Sequence, residues 1–387
     1  MSNPLAYDKA IALLHKVSTP KGFTAAAVAE DNYCRVWTRD SVVCGLAALL
    51  TEDEKLIETF KNSLVTIWNN QHATGFLPSN VDANNKVSYG GTAGRADAPA
   101  WAIIGLCMYS MHTNHKTLLE AFEPKVNRAL QLMDAWEFNG KHLMYVPQSG
   151  DWADEYIQHG YVLFDQLLRL WALQLAAKVY NNKIFATKAA HIKNTIENNF
   201  FYREDANNWY APNMVHQKEE VPKSFWWMGF NPAQIYPQFD LQANALAVLL
   251  KIGTVAQQKS CMDFTQNLLE ERNSMLPSFW PPVAYKDREM DELKNNFAYR
   301  FRNKPGEFHN AGLWPVWNGL MCAAFKISGN ETVQKNLSEK MVDAVAANNF
   351  EMNECYNAQT NIACGVHECA WSAAGIIFSE KAHELFN

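Results

Sequence analysis

DAPAWAIIGLCMYSMH (97–112), followed closely by LLEAFEPKVNRALQLMDAW (118–136), sets two kinds of helix side by side. In the first stretch, Ala, Ile, Leu, Cys, Met and Trp occupy most of the circumference, with no Lys, Arg or Glu among them. A helix apolar on most sides is buried on most sides. In the second, apolar residues recur at spacings of three and four with charges between them. That is the pattern of a helix that covers a core and faces water.

The same alternation extends in both directions. Helical periodicity predicts twelve helices, at 6–17, 39–50, 54–70, 97–112, 117–137, 159–180, 183–199, 240–252, 256–272, 310–328, 331–348 and 366–379. Those at 39–50, 97–112, 240–252, 310–328 and 366–379 are rich in Ala, Gly, Cys, Leu and Trp. Partners such as NETVQKNLSEKMVDAVAA (330–347) carry charge on one face. The segment 159–180 is intermediate, because it holds Asp165 and Arg169. Six inner helices alternating with six outer ones describe an all-α fold, an (α/α)6 barrel or six-hairpin toroid. No Pro/Gly/Ser-rich linker or composition shift divides the chain, so a single catalytic domain over 1–387 is expected. The longest irregular stretches, 200–239 and 273–309, are rich in Trp, Pro and Asn, and loops of that length in a compact domain are usually functional lids or binding loops.

Bulk composition excludes several classes. Hydrophobic residues make up 48% of the 387, enough for a sizeable core. No apolar run approaches the roughly 18–20 residues that span a bilayer, so no membrane association is expected. The start, MSNPLAYDKAIALLHK, has no uninterrupted apolar stretch behind a basic region, so a cytoplasmic protein is expected. A net charge of −6 argues against nucleic acid as a partner. The eight cysteines are scattered without C-x-x-C spacing, indicating neither a zinc site nor a disulfide framework. Thirteen Trp, 14 Tyr and 21 Phe could stack on sugars, but composition alone assigns them to the core.

Polar and aromatic residues gather just before the inner helices: VWTRDS (36–41), YGGTAGRADAPAW (89–101), QSGDWADE (148–155), YPQFDLQAN (236–244), PGEFHNAGLWP (305–315) and NECYNAQTN (353–361). Any one of these, taken alone, is explained by helix capping. Six of them at the same end of six inner helices point instead to a shared polar pocket. It would offer the carboxylates Asp40, Asp97, Asp151, Asp154, Asp240, Glu307 and Glu354, with Arg39, amides and tryptophans. A phosphate loop in a βαβ unit and a G-x-S-x-G elbow are both missing from the sequence. Paired carboxylates with Trp and amides suit glycosidic hydrolysis, in which one acid protonates the leaving oxygen and the other activates water or attacks carbon.

These segments resemble the clan of (α/α)6 glycosidases that includes neutral/alkaline invertases (glycoside hydrolase family 100), trehalases (family 37) and family 63 glucosidases. VWTRDS is similar to the invertase VW-x-RD segment, and GRADAPAWAIIGL to its Gly-Arg…Asp…Trp stretch. FHNAGLWPV resembles YHNGGSWP, and NECYNA with ECAWSAAGII resembles PEYYDG with QTWTIAG. The series runs in order from residue 33 to about 377. The resemblance implies an inverting hydrolase with its two carboxyls roughly 6.5–9.5 Å apart. It places the general acid at Asp154, with Asp151 the competitor, and the general base at Glu354, with Glu307 the rival. By the same likeness Arg39, Asp40, Asp97, His309 and Asn310 bind the sugar being cleaved, and Trp37, Trp152 and Trp314 wall it.

The chain is shorter than plant invertases, with Asp-Glu-Tyr where they have Asp-Arg-Arg and NECYNA where they have PEYYDG. Sucrose is the first substrate expected, and trehalase or other α-glucosidase activity of the same clan is the alternative. No cofactor or metal is expected for a two-carboxylate hydrolysis. Family members often associate through outer helices, which leaves a homo-oligomer open. Two other classes compete: a sugar epimerase or isomerase using His159, His309 or His367, and a non-catalytic carbohydrate-binding scaffold.

Overall fold

The computed structural model describes residues 4–204, 210, 214 and 221–386. Six helices form a closed inner ring: α2 (Thr38–Thr51), α4 (Ala98–Thr113), α6 (Leu163–Val179), α8 (Leu241–Leu249), α11 (Pro315–Ile327) and α13 (Ala370–Lys381). Each packs on the next, and α13 returns to α2. The outer layer is α1 (Pro4–Lys16), α3 (Glu54–Asn69), α5 (Thr117–Ala135), α7 (Lys183–Asn199), α9 (Val255–Arg272) and α12 (Glu331–Ala347). A short helix, α10 (Glu289–Lys294), lies within the irregular stretch 273–309.

Composition explains the two layers. Every residue of α4 from Ala98 to Ser110 is buried, and so is every residue of α8. The outer α5 buries only Leu119, Phe122, Val126, Ala129, Leu130 and Met133, one stripe at helical spacing. The intermediate character of α6 has a local cause. Its Arg169 is fully buried and bonded to Glu137 and Asp134 at the end of α5, both at 2.5 Å, so a charged inner helix keeps its partners inside. Inner helices approach closely where glycine allows it: a Cβ on Gly319 of α11 would stand 2.2 Å from the Gly375 carbonyl oxygen of α13.

The all-α expectation needs correction. Four small antiparallel sheets decorate the ring: β1 (Ser18–Thr19) with β2 (Gly22–Phe23); β3 (Val36–Trp37), β4 (Asn80–Val81) and β5 (Val87–Ser88); β6 (Tyr161–Val162), β7 (Trp227–Phe230), β8 (Ile235–Asp240) and β9 (Phe279–Trp280); and β10 (Cys355–Tyr356) with β11 (Ala363–Cys364). Several feed inner helices directly, β3 into α2, β6 into α6 and β8 into α8. Three inner helices accordingly start later than periodicity predicts, at 163, 315 and 370 rather than 159, 310 and 366. Val162, Trp314 and Cys369 are extended, and Trp314 precedes Pro315, whose ring disfavours helical geometry in the residue before it. The irregular stretch 200–239 supplies β7 and β8, while 205–209, 211–213 and 215–220 lie outside the described residues.

Capping does not account for the polar segments at the inner-helix starts. Of the six inner helices only α8 has a side-chain cap, Asp240 accepting from the Ala243 amide at 2.9 Å. The N-cap residues Trp37, Asp97, Val162, Trp314 and Cys369 make no such bond. Outer helices are capped by Asp53, Asn182 and Thr254, the last in a reciprocal box with Gln257. Among the described residues no helix is long and apolar enough to cross a membrane.

Candidate active site

The segments entering α2, α4, α6, α11 and α13 meet at a cavity of about 250 Å3. From α2, Arg39 bonds Asp97 at 3.0 Å, lies 3.7 Å from Asp40, and places its guanidinium 5.3 Å above the Trp371 ring of α13. Burial works against that charge, and Asp97, Asp40 and Asp154 more than offset it. The cavity floor is aromatic. Trp152 makes edge contacts with Trp314, Trp317 and His309, each at 5.2 Å between centroids, and His309 stacks on Trp314.

Burial and the nearby Arg302, Arg39 and Arg95 hold the His309 imidazole well below its usual range, so it is neutral. It can share a hydroxyl hydrogen bond, and its Nδ1 has no partner. His159 lies outside this cavity and His367 is exposed. The three histidines that an epimerase could use do not come together.

Two carboxylates stand out. Glu354, on the segment entering β10, is 4% exposed. Its Oε1 accepts from the Tyr33 hydroxyl at 2.8 Å and its Oε2 from the Val366 amide at 3.3 Å. Burial raises its pKa to about 7, against the pull of Arg302 and the Tyr33 and Val366 bonds. Gly365 makes room for it: the residue has φ +86°, and a Cβ there would come within 2.4 Å of Oε2.

Asp154 lines the same cavity with its side chain about one-third exposed, 32%, and is ion-paired with Arg95. Arg95 is fixed in turn by the Ser149 carbonyl at 2.7 Å. The neighbouring Glu155 accepts from Arg302 at 3.2 Å and from the Ala298 amide at 3.1 Å. Asn296 and Asn303 strap segment 154–156 by donating to its backbone carbonyls.

Trp37, Arg39, Asp40, Trp152, Asp154, His309, Trp314 and Glu354 therefore line one cavity, as the sequence leads one to expect. Five further candidates do not reach it, the first being Asp240, whose carboxylate is buried as the cap of α8. Asp97 is buried behind Arg39 as its ion partner. Asp151, 1% exposed, takes a hydrogen bond from Gln158. Burial, then Asp97 and Asp154, raise its pKa to about 8, against Arg39 and Arg95.

Glu307 bonds the Asn357 amide at 3.2 Å in a turn off the cavity. Asn310 is a fully buried clamp, exchanging bonds with the Val283 backbone at 2.7 and 2.9 Å and donating to the Asn303 carbonyl. Its amide is spent on the fold. Sequence reasoning missed Tyr33, Arg95, Glu155, Arg302 and Trp371, all on the cavity wall. Arg95 and Trp371 stand inside segments singled out above. Arg302 lies in an irregular loop with no pattern to mark it.

A family model described as alkaline and neutral invertase matches residues 175–384, more than half of the chain, a span that includes His309, Trp314 and Glu354. No curated protein sequence matches. Among solved structures, the chain is similar to a family 63 mannosylglycerate hydrolase from Thermus thermophilus, with 12% identity over 96% of this chain and 99% of that one and a TM-score of 0.70. It is also similar to a glucoamylase from Saccharomycopsis fibuligera, with 12% identity over 99% and 94% and a TM-score of 0.60. A family 78 rhamnosidase from a Bacillus species matches with 15% identity over 97% of this chain but 34% of its own, at a TM-score of 0.60. At these identities the likeness is one of fold.

Proposed function

The chain belongs to the alkaline and neutral invertase family and is a glycoside hydrolase; from that premise we propose that it hydrolyses a small glycoside with inversion, sucrose first. Asp154 is the proton donor to the leaving oxygen, and Glu354 takes a proton from the attacking water. The observation that carries this reading is that Asp154 and Glu354 line one cavity while their rivals Asp151 and Glu307 do not. Of the other carboxylates on that wall, Asp40 lies beside Arg39, Glu155 is bonded to Arg302 and a backbone amide, and Asp31 is exposed to solvent. His309, neutral and stacked on Trp314, and Arg39 over Trp371 hold the sugar ring.

The reaction proceeds without a covalent intermediate. Water, polarised by Glu354, attacks the anomeric carbon as the glycosidic bond breaks. Asp154 gives its proton to the departing oxygen, and the Glu354 proton then leaves to solvent while Asp154 regains one from it. A second reading, hydrolysis of a hexosylglycerate, has in its favour the likeness to the Thermus mannosylglycerate hydrolase over nearly the whole of both chains. Against it, every guanidinium on the cavity wall already faces a carboxylate: Arg39 with Asp97, Arg95 with Asp154 and Arg302 with Glu155.

The test is turnover on sucrose, trehalose, maltose, mannosylglycerate and glucosylglycerate, with the first-formed anomer followed by proton NMR. On the best substrate, Asp154→Asn and Glu354→Gln should each lower kcat by about 10²–10⁴. Full turnover by both variants ends the assignment, and an isomer formed without bond cleavage ends the hydrolase mechanism.

A further inference from the structure

On the far side of Asp154 from Glu354 the cavity wall opens into a groove of about 890 Å3, more than three times the room of the cavity itself. The two spaces share Gly91, Arg95, Asp154, Glu155 and Ala298, whereas Glu354 lines the smaller one alone. Asp154 thus stands on the partition. If the sugar under attack lies between Asp154 and Glu354, the oxygen protonated by Asp154 is at the partition. Whatever is attached to that oxygen must then continue into the groove.

The chemistry of the groove restricts what that can be. Its far wall carries Asp291 and Glu292 beside the shared Asp154 and Glu155. Among its described lining residues the one guanidinium, Arg95, is bonded to Asp154, there is no lysine, and the His159 ring is engaged by Asn231 and Tyr236. An anionic group would enter a field of its own sign with no cation free to meet it. Gln148 and the Asn295 amide oxygen offer polar groups for hydroxyls, whereas the Asn296 amide is spent on the Asp154 and Tyr156 carbonyls and the Ser149 hydroxyl. The partition loop also exposes aromatic faces on its two sides: Phe297, 45% exposed, lines the groove, and Tyr299, 64% exposed, lines the cavity, with Ala298 between them. Apolar rings left in water beside amides and carboxylates suit the C–H faces of sugar rings.

We propose that this groove binds the leaving group and is built for an uncharged saccharide of more than one unit. The inference rests on the reading of Asp154 and Glu354 given above, and it extends that reading from a small glycoside to a longer one.

Raffinose and stachyose lengthen sucrose on its glucosyl side and 1-kestose and nystose on its fructosyl side, so the series in which the leaving group grows through one, two and three rings measures the groove. In that series we expect kcat/KM to rise about fivefold or more from sucrose to the trisaccharide, and to fall about tenfold below sucrose when the leaving ring is phosphorylated. Should the substrate panel select maltose instead, maltotriose and maltotetraose take the same places. Thr92→Trp, at an exposed groove position outside the cavity, should abolish the gain for the longer substrates and leave sucrose within about twofold. Calorimetric binding to Glu354→Gln gives the same comparison without turnover, the trisaccharide of that series binding more tightly than sucrose.

Equal values across the series, faster turnover of the phosphorylated sugar, or Thr92→Trp slowing all substrates alike would overturn the proposal. Retained activity in Asp154→Asn and Glu354→Gln would instead overturn the site reading, so the two failures are distinguishable.

Discussion

At the residue scale, Glu354 is where burial decides behaviour. A general base must be ionised to accept a proton, and burial lifts this carboxyl to about 7. The groups facing it are Arg302 and the Tyr33 hydroxyl, with Asp40, Cys355 and Cys369 near by. Below pH 7 the base is protonated and idle, and above it the base is available. The acid limb of kcat/KM should therefore have its midpoint near 7, where an ordinary glutamate would give about 4.3. A midpoint near 4.3 would remove Glu354 from that role. Tyr33 supplies a second handle. Its hydrogen bond favours the ionised form, so Tyr33→Phe should move the midpoint upward by about half a unit to one unit. A rate–pH profile of the variant reads that shift, whereas a merely structural tyrosine would lower the plateau and leave the midpoint in place.

At the element scale, the ring depends more on how its inner helices touch than on how its outer helices are capped. Gly375 of α13 lies so close to α11 that a Cβ there would sit 2.5 Å from the Pro315 carbonyl. Asp53 caps the outer α3 through the Lys55 and Leu56 amides on a half-exposed surface. Gly375→Ala should cost about 2 kcal/mol or more, because two packed helices must part, and Asp53→Ala about 1 kcal/mol. Urea unfolding of both variants checks the order, and a larger loss at Asp53 would contradict this account of the ring. Much of this was legible in the sequence, since a helix apolar all round and a helix with one stripe differ in composition. What was hidden has physical causes. Two-residue strands have no period to detect, so β3, β6 and β10 left no signal. Glu307 and Asn310 flank His309 in sequence, yet Phe308 at φ 49° and Ala311 at φ 71° turn the chain between them. Only the histidine of the three reaches the cavity. Cys355 and Cys364 are nine residues apart and read as scattered, but strand pairing brings their sulfurs to 2.9 Å.

At the scale of the whole molecule, one geometry sets stability and activity against each other. Closing six inner helices into a ring brings their polar entrances together in low-dielectric surroundings, where carboxylates hold their protons. Burial raises Glu354 to about 7 and Asp151 to about 8, and it raises Asp40, Asp165 and Asp240 as well. Both Asp165 oxygens are buried without a hydrogen-bond partner, as is one of Asp240. Each such group binds its proton more tightly folded than unfolded. Its contribution is fully present below the unfolded value near 4 and declines as pH rises towards the folded value. For Glu354 alone the decline is on the order of 3 kcal/mol between pH 4.5 and 7. Two sets of groups act in the opposite sense. Asp53, Asp82 and Glu137, lowered by their partners, do so below the ordinary carboxylate range, and His309, His142 and His383, lowered by burial, as pH rises through the ordinary histidine range. The five raised carboxyls outnumber those three histidines. The melting temperature should accordingly be higher at pH 5.5 than at pH 8, while Glu354 gains its ionised, base-competent form over that same interval. Glu354→Gln and Asp151→Asn remove a buried ionisation, so each should melt higher than the parent at pH 8 and flatten the pH dependence. Scanning calorimetry of the three proteins at the two pH values decides it, and a parent more stable at pH 8 than at 5.5 would refute the idea that the ring confines these carboxyls at the expense of stability.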